Sequence, residues 1–292
     1  MESKLNKNLI GSFVPTGKPE YLVESIKTAI ECNENCFMFY TGSPQSVIRT
    51  PIKNMHVDEF KTICSSYDID MKNIVVHAPY IINLSSSEST KLKFSKDFLQ
   101  KEIDRVSEIG CNLLVIHPGN ATNNISVENA IKNTANLINS LNLRDVSLCI
   151  ETMSGKGTEI CKNFIEVKTL LDLIKNKKQI GVCFDTCHVW DSGYNLSNLK
   201  NVLDEFDKIV GLNNIKCIHI NDSENPCGSK KDRHANIGYG KIGFEILKDI
   251  CHYEKFINLP KILETPIHIS CVETYKKEVE MLRTGIFKNW IK

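Results

Sequence analysis

Six side chains of metal-binding type recur along the chain at similar intervals. His77, His117, Glu151, Asp185, His219 and Glu264 stand 40, 34, 34, 34 and 45 residues apart. Three more lie close by: the segment DTCH places His188 three residues after Asp185, and DRH places Asp232, Arg233 and His234 in a Gly/Ser/Asn-rich stretch. Mixed imidazole and carboxylate donors suit zinc or manganese, whereas magnesium and calcium prefer shells made of oxygen alone. Nine such positions exceed the needs of one tetrahedral zinc. They suffice for two or three ions that share a bridging carboxylate. Glu151, Asp185, Asp232 and Glu264 would set four negative charges against six positive ones from three divalent ions, leaving a site of about +2. The chain as a whole carries a formal net charge of only +1. An anion therefore belongs at such a site, and phosphate is the first candidate.

Nine residues this far apart need a scaffold that gathers them. Eight short apolar runs read as strands: Leu9–Val14, Cys36–Tyr40, Ile74–His77, Leu113–His117, Ser147–Glu151, Gly181–Asp185, Lys216–Ile220 and Lys261–Glu264. They are apolar almost throughout rather than alternating, as strands covered on both faces are. Helical stripes lie between them. One runs over Phe94–Gly110, another over Phe164–Ile174, and similar windows begin near Pro19, Val57, Ser126, Asn198, Gly243 and Glu273. Eight βα units in 292 residues, with no linker or composition break, predict an α/β fold. It is expected to be a (β/α)8 TIM barrel forming one domain over 1–292. An open doubly wound sheet lacks its G-x-G-x-x-G turn after the first strand. In a barrel the C-terminal strand ends form one ring, and the active site lies there. Strands three to six and eight end on a candidate ligand, and the seventh carries His219 one residue inside.

Composition narrows the class further. The chain is 41% hydrophobic and 24% charged, with 36 Lys plus Arg against 35 Asp plus Glu, which suits a folded protein and excludes a polycation or an acidic tail protein. Near-neutrality still permits a local patch that binds phosphates. The twelve cysteines contain no C-x-x-C pair, and several sit inside apolar runs, as Cys149, Cys183 and Cys217 do. Reduced thiols in an intracellular, cytoplasmic setting fit best. The N-terminal residues lack an apolar core of signal-peptide length, and no run reaches the roughly 18 apolar residues of a membrane span. A monomer with no membrane partner is expected.

The motifs that carry these residues resemble the endonuclease IV family of metal-dependent apurinic/apyrimidinic endonucleases. The matching segments are YTGSPQ (40–45), VHAPYIINL (76–84), IHPG (116–119), ETMSGKGTE (151–159), CFDTCH (183–188), HINDS (219–223), KDRHANIG (231–238) and ILETP (262–266). The resemblance implies a barrel with three zinc ions per chain, manganese being admissible at one position. His77, His117 and Glu151 would hold the first ion. Glu151 would bridge to a second, held also by Asp185, His219 and Glu264, and His188, Asp232 and His234 would hold the third. The family usually reads G-x-H-V-S in the first strand, where this chain has Gly11-Ser12-Phe13-Val14-Pro15. Phe13 thus replaces an imidazole that is not among the nine.

The implied reaction is hydrolysis of the DNA phosphodiester 5′ to an abasic sugar in double-stranded DNA, leaving a 3′-hydroxyl and a 5′-deoxyribose phosphate. Paired ions can hold a water in line with the phosphorus, and Glu151 or Glu264 would orient or deprotonate it. By the same resemblance, Gln45 in the loop after strand two and Tyr80-Ile81 after strand three would enter the minor groove and bend the duplex, while Arg233 would pair with a phosphate. His56, His252 and His268 fall off the ring and read as surface or capping residues. Two other functions compete. A single-metal sugar isomerase or epimerase would use only Glu151, Asp185, His219 and Glu264. A non-catalytic zinc- or DNA-binding protein would need no shared, partly open carboxylate.

Overall fold

The computed structural model describes residues 8–291, and the first seven residues of the N-terminal segment considered above lie outside the described residues. Eight parallel strands form one sheet: β1 (Ile10–Ser12), β2 (Phe37–Phe39), β3 (Ile74–His77), β4 (Leu113–Ile116), β5 (Ser147–Glu151), β6 (Ile180–Asp185), β7 (Ile215–His219) and, last in the chain, β10 (Lys261–Leu263). Their order is β1-β10-β7-β6-β5-β4-β3-β2. The ends meet through a parallel bridge between Phe13 and Met38 and a 2.8 Å bond from Val14 N to the Met38 carbonyl. Closure is tight there: a Cβ on Gly11 would stand 1.7 Å from the Cys36 carbonyl oxygen, so only glycine lets the first two strands approach. This is the expected (β/α)8 barrel.

Helices pack outside: α1 (Leu22–Glu31), α2 (Val57–Ser66), α3 (Ser89–Ile109), α4 (Val127–Asn139), α5 (Phe164–Leu173), α6 (Thr186–Ser192), α7 (Leu199–Ile209), α8 (Phe244–Cys251) and α9 (Cys271–Thr284). Ser126, Asn163 and Ser270 accept a backbone N–H two or three residues into α4, α5 and α9, which satisfies donors that a helix start leaves free. Outward side chains of the strands and inward stripes of the helices make one large apolar layer, with Phe37, Phe39, Phe60, Phe164, Phe184 and Phe206 all fully buried. A two-stranded antiparallel ribbon, β8 (Asp222–Ser223) with β9 (His234–Ala235), follows β7. All twelve cysteines are free thiols, and among the described residues no helix is long and apolar enough to cross a membrane.

The barrel interior explains the regular spacing of the candidate ligands. Val75, Val115, Cys149, Cys183, Cys217 and Ile262 form a dry inner layer with Cys36 and Met38. Side chains alternate along a strand, so the residue two further on points to the same side. Those residues are His77, His117, Glu151, Asp185, His219 and Glu264, one layer above the plug. Several boundaries differ from expectation by a residue: β6 and β7 begin one residue earlier, at Ile180 and Ile215, and Glu264 lies one residue past β10. His219 is the last residue of β7 rather than one inside it, and His117 lies one residue past β4. The first two strands are shorter than their apolar runs, because they share only the single Phe13–Met38 bridge.

Candidate metal centre

The nine residues converge at the C-terminal mouth of the barrel. Three sets bring their donor atoms together: His77, His117 and Glu151; Glu151, Asp185, His219 and Glu264; and Asp185, His188 and His234. Asp232 joins the third, with Oδ1 at 3.0 Å from His188 Nε2 and 3.7 Å from His234 Nε2. Asp185 therefore faces both the second and the third set, a sharing that the sequence spacing did not indicate. Glu151 faces the other way as well. Its Oε2 lies 3.2 Å from His77 Nε2 and 3.1 Å from His117 Nε2, while Oε1 lies 3.1 Å from His219 Nδ1 and 3.4 Å from His188 Nδ1.

These separations fit a shared cation. Donors at 2.0–2.1 Å from a tetrahedral zinc stand about 3.3–3.4 Å from one another, within the range seen here. The imidazoles are also oriented for it. His77 Nδ1 is 2.7 Å from the Ala78 carbonyl, His188 Nδ1 is 2.8 Å from the Thr152 carbonyl, and His234 Nδ1 is 3.1 Å from the Glu264 carbonyl. A carbonyl only accepts, so each Nδ1 carries a proton and each Nε2 is left facing the cluster, where it can coordinate once its own proton is displaced. His234 Nε2 is buried and has no hydrogen-bond partner, an arrangement that costs free energy unless a ligand completes it.

The electrostatics follow from packing acids and imidazoles in a buried cup. Burial pushes the His219 and His188 pKa values down, but the facing carboxylates outweigh it and hold both well above the ordinary histidine value. For His219 the main partners are Glu264 and Glu151, and for His188 they are Asp185, Asp232 and Glu151. His117 is raised on the same balance, burial against Glu151. Glu151 is held well below the usual carboxylate range despite its burial, by His219 and His117. Glu264 likewise drops to about 2 against its burial, chiefly because of His219.

A supporting layer holds this ring, and it was not visible in the spacing of donors. Asn221, fully buried, donates Nδ2 to Asp185 Oδ2 at 2.9 Å and accepts the Glu264 N–H at 2.8 Å on Oδ1. The Thr152 hydroxyl accepts the Asp185 N–H at 3.0 Å, and Asp185 Oδ1 caps α6 by accepting the His188 N–H at 2.8 Å. Buried Asp191 accepts the Asp232 and Lys231 N–H groups at 2.8 and 3.2 Å and the Ser223 hydroxyl at 2.7 Å. Buried Asp222 accepts N–H bonds from Gly238, Gly240 and Ile242 at 2.9–3.1 Å. Glu278 of α9 ties the two ligand-bearing loops together, taking the Ile237 N–H at 2.8 Å, the Asn236 amide at 3.0 Å and the Thr265 hydroxyl.

Four residues expected at DNA lie on loops of the same rim. Gln45 is exposed in the loop after β2, and Tyr80, 47% exposed, stands after β3. Ile81 is only half-buried and packs against the core, so less of it projects than of Tyr80. Arg233 is exposed, its Nη1 donating to the Asp232 carbonyl at 2.9 Å. Lys156, which no motif spacing marks, places Nζ 3.7 Å from Asp232 Oδ2. Phe13 contacts Tyr40 edge-on at 5.3 Å between ring centroids, and Tyr40 in turn lies 5.1 Å from His77. Phe13 thus supports the rim by packing and leaves the nine donors intact. His56 begins α2, His252 donates Nε2 to the Leu282 carbonyl at 2.7 Å, and His268 is exposed. None of the three joins the cluster.

Residues 26–285 match the family model described as a xylose isomerase-like TIM barrel, which agrees with the fold. The "Probable endonuclease 4" of Mycoplasmoides gallisepticum is 42% identical, over 97% of this chain and 97% of that protein. The "Probable endonuclease 4" of Mycoplasma mycoides is 43% identical, over 98% and 99%. Among solved structures, endonuclease IV from Thermus thermophilus superposes with a TM-score of 0.82 at 24% identity, covering 94% of this chain and 98% of that one. The chain belongs to the endonuclease 4 family, and is accordingly a metal-dependent nuclease acting as a hydrolase.

Proposed function

We infer that this chain is a base-excision DNA repair enzyme. It hydrolyses the phosphodiester on the 5′ side of an abasic deoxyribose in duplex DNA, leaving a 3′-hydroxyl and a 5′-deoxyribose phosphate. Three divalent cations serve it, zinc by the chemistry of the donor set, with manganese admissible at one position. The single observation that carries this reading is Glu151: its two oxygens face different sets of imidazoles, as a carboxylate bridging two cations must. His77, His117 and Glu151 would hold the first ion, Glu151, Asp185, His219 and Glu264 the second, and His188, Asp232 and His234 the third, with Asp185 beside it. Bound there, such ions would supply Lewis acidity toward the phosphate and toward the attacking water.

The chain's own residues do the rest. Glu264, with 19% of its side chain exposed against 1% for Glu151, is the carboxylate that a water in the mouth reaches, and it takes the role of orienting and deprotonating the nucleophile. Asn221 fixes Glu264 for that task through its backbone N–H. Lys156 and Arg233 add positive charge beside the third set, where a phosphate oxygen would lie. An abasic nucleotide turns out of the helix at little cost, since no base pair is lost. Tyr80, exposed beside the mouth, is placed to fill the gap it leaves, with Ile81 bracing it and Gln45 approaching from the neighbouring loop.

Supporting this over sugar isomerisation is the number of donor sets. The second set alone would serve a single-metal isomerase, and the first and third adjoin it without a role in that chemistry. The test is incision of a duplex containing one tetrahydrofuran abasic analogue. Zinc-loaded protein should nick it 5′ to the lesion, and a chelator should abolish the cut. Absence of incision by protein that binds three ions would remove this reading.

A further inference from the structure

The loop after β2 is built around one side chain rather than around its own apolar residues. Arg49 folds back across it, and Nη1 donates to the carbonyls of Ser46, Ile48 and Ser43 at 2.7, 3.0 and 3.3 Å. Its Nε donates to Glu102 Oε1 at 2.7 Å, and Glu102 Oε2 accepts the Thr41 hydroxyl at 2.5 Å. One carboxylate of α3 therefore ties down both ends of the segment 41–49. The ion pair is enclosed, with the Arg49 side chain 9% exposed and that of Glu102 0%, and the guanidinium lies 5.0 Å from the Phe98 ring centre. Gly42 passes so near that a Cβ there would stand 3.0 Å from Arg49 Cδ and 3.1 Å from Nη1.

With its interior taken by the guanidinium, the loop turns its apolar residues outward. Ile48 is 80% exposed and Val47 50%. Barrel closure explains none of this. A buried ion pair is a poor route to stability, because desolvation offsets most of its Coulomb attraction, and an apolar pair of similar volume often does as well. What the guanidinium does provide is geometry: Nη1 gathers three carbonyls of the loop while Nε holds the Glu102 carboxylate, all on one rigid planar group.

We propose that Arg49 and Glu102 are positioning residues that pre-form the 42–48 loop as a rigid binding element, presenting Gln45, Val47 and Ile48 to the duplex. The ligand rests on the abasic-DNA reading above, whereas the rigidity of the loop rests on these contacts alone. A loop already ordered avoids the entropy of ordering at each binding event. Its loss should therefore appear in substrate affinity and leave the chemical step intact.

The decisive variant is the double substitution Arg49→Met/Glu102→Leu in the full-length, zinc-loaded protein. Arg49→Met alone strands a buried carboxylate and should lower the melting temperature. The double variant should regain most of that loss. Its KM for abasic duplex should nonetheless rise roughly tenfold to a hundredfold, with kcat within about threefold of wild type. Arg49→Lys keeps the charge without the fork and should fall between. In DNA-free protein, amide hydrogen exchange of 42–48 should be faster in the double variant than in wild type. Wild-type KM together with wild-type exchange in that variant would overturn the proposal. If the double variant does not fold, Glu102→Gln, which keeps the shape and removes the charge, is read by the same two measurements with the same outcomes. If wild-type protein fails to incise abasic DNA, the functional reading falls, and hydrogen exchange alone still decides the latch.

Discussion

Asn221 offers the sharpest test of the layer that holds the candidate metal ligands. Its fully buried amide joins Asp185 Oδ2 at 2.9 Å to the Glu264 N–H at 2.8 Å. Asn221→Ala removes one bond to a charged group and one neutral bond, about 2–4 kcal/mol together, and this loss should be nearly the same from pH 5 to pH 8. Asn221→Asp keeps the shape but sets a second carboxylate 2.9 Å from Asp185 Oδ2. At an effective dielectric of about 20 the repulsion is roughly 6 kcal/mol, or about four pKa units. The introduced carboxyl would stay protonated in the folded, metal-free protein while ionising normally in the unfolded chain near pH 3.9. A folded pKa raised in this way lowers stability as pH rises, by about 1.4 kcal/mol per unit, until the folded pKa is passed. The cost of Asn221→Asp should thus grow from about 1.5 kcal/mol at pH 5 to about 5.5 at pH 8, crossing the alanine variant between them. Urea melts of chelator-treated protein at four pH values measure it. Parallel curves for the two variants would show that Asn221 does not bridge Asp185 and Glu264 as described.

Three further expectations follow from the same contacts. Asp191→Ala frees the backbone of Asp232, so elemental analysis should find one ion fewer than the three proposed for wild type, with the first two sets retained. In chelator-treated wild-type protein the contribution of this cluster to stability should be largest from about pH 4.5 to 6.5. Above that range the raised His188 and His219 lose their protons and their contribution goes with them, while toward acid the stability held by the depressed Glu151 and Glu264 is lost as pH falls toward their folded values. Zinc-saturated protein should show a shallower alkaline decline, the remainder coming from Glu34 and Glu278, which burial raises to about 8 and about 7, and thermal melts across pH decide this. Tyr80→Ala should lower kcat/KM on abasic duplex roughly tenfold to a hundredfold with metal content and melting temperature unchanged, since nearly half of Tyr80 is exposed; wild-type kcat/KM would remove it from the DNA contact.

Much of the fold was legible because barrel strands are apolar on both faces. Ile74–His77 and Ser147–Glu151 stand where their apolar runs do, and the other strands differ from theirs by one or two residues at the ends. The ligand ring was legible for the same reason: each member lies two residues beyond an inner-layer side chain, and strand alternation carries the phase from unit to unit. Less regular parts were hidden. The helix α6 is seven residues long and almost wholly buried, so it shows no amphipathic stripe, and its start at Asp185 appears only once that carboxylate is seen to cap it. Asp191, Asp222 and Glu278 look like ordinary solvated acids in the sequence. Their burial depends on backbone N–H groups 20 to 41 residues away, partners that no local pattern reveals. The sharing of Asp185 between two donor sets is equally a property of the folded mouth.

The most direct measurement is an anomalous-difference map recorded above the zinc edge from metal-replete crystals. Three adjacent peaks are expected, one within reach of His77, His117 and Glu151, one by Asp185, His219 and Glu264, and one by His188, Asp232 and His234. A single peak at the second position would instead mark an isomerase-like centre, and no peak among these nine side chains would contradict the metal centre altogether.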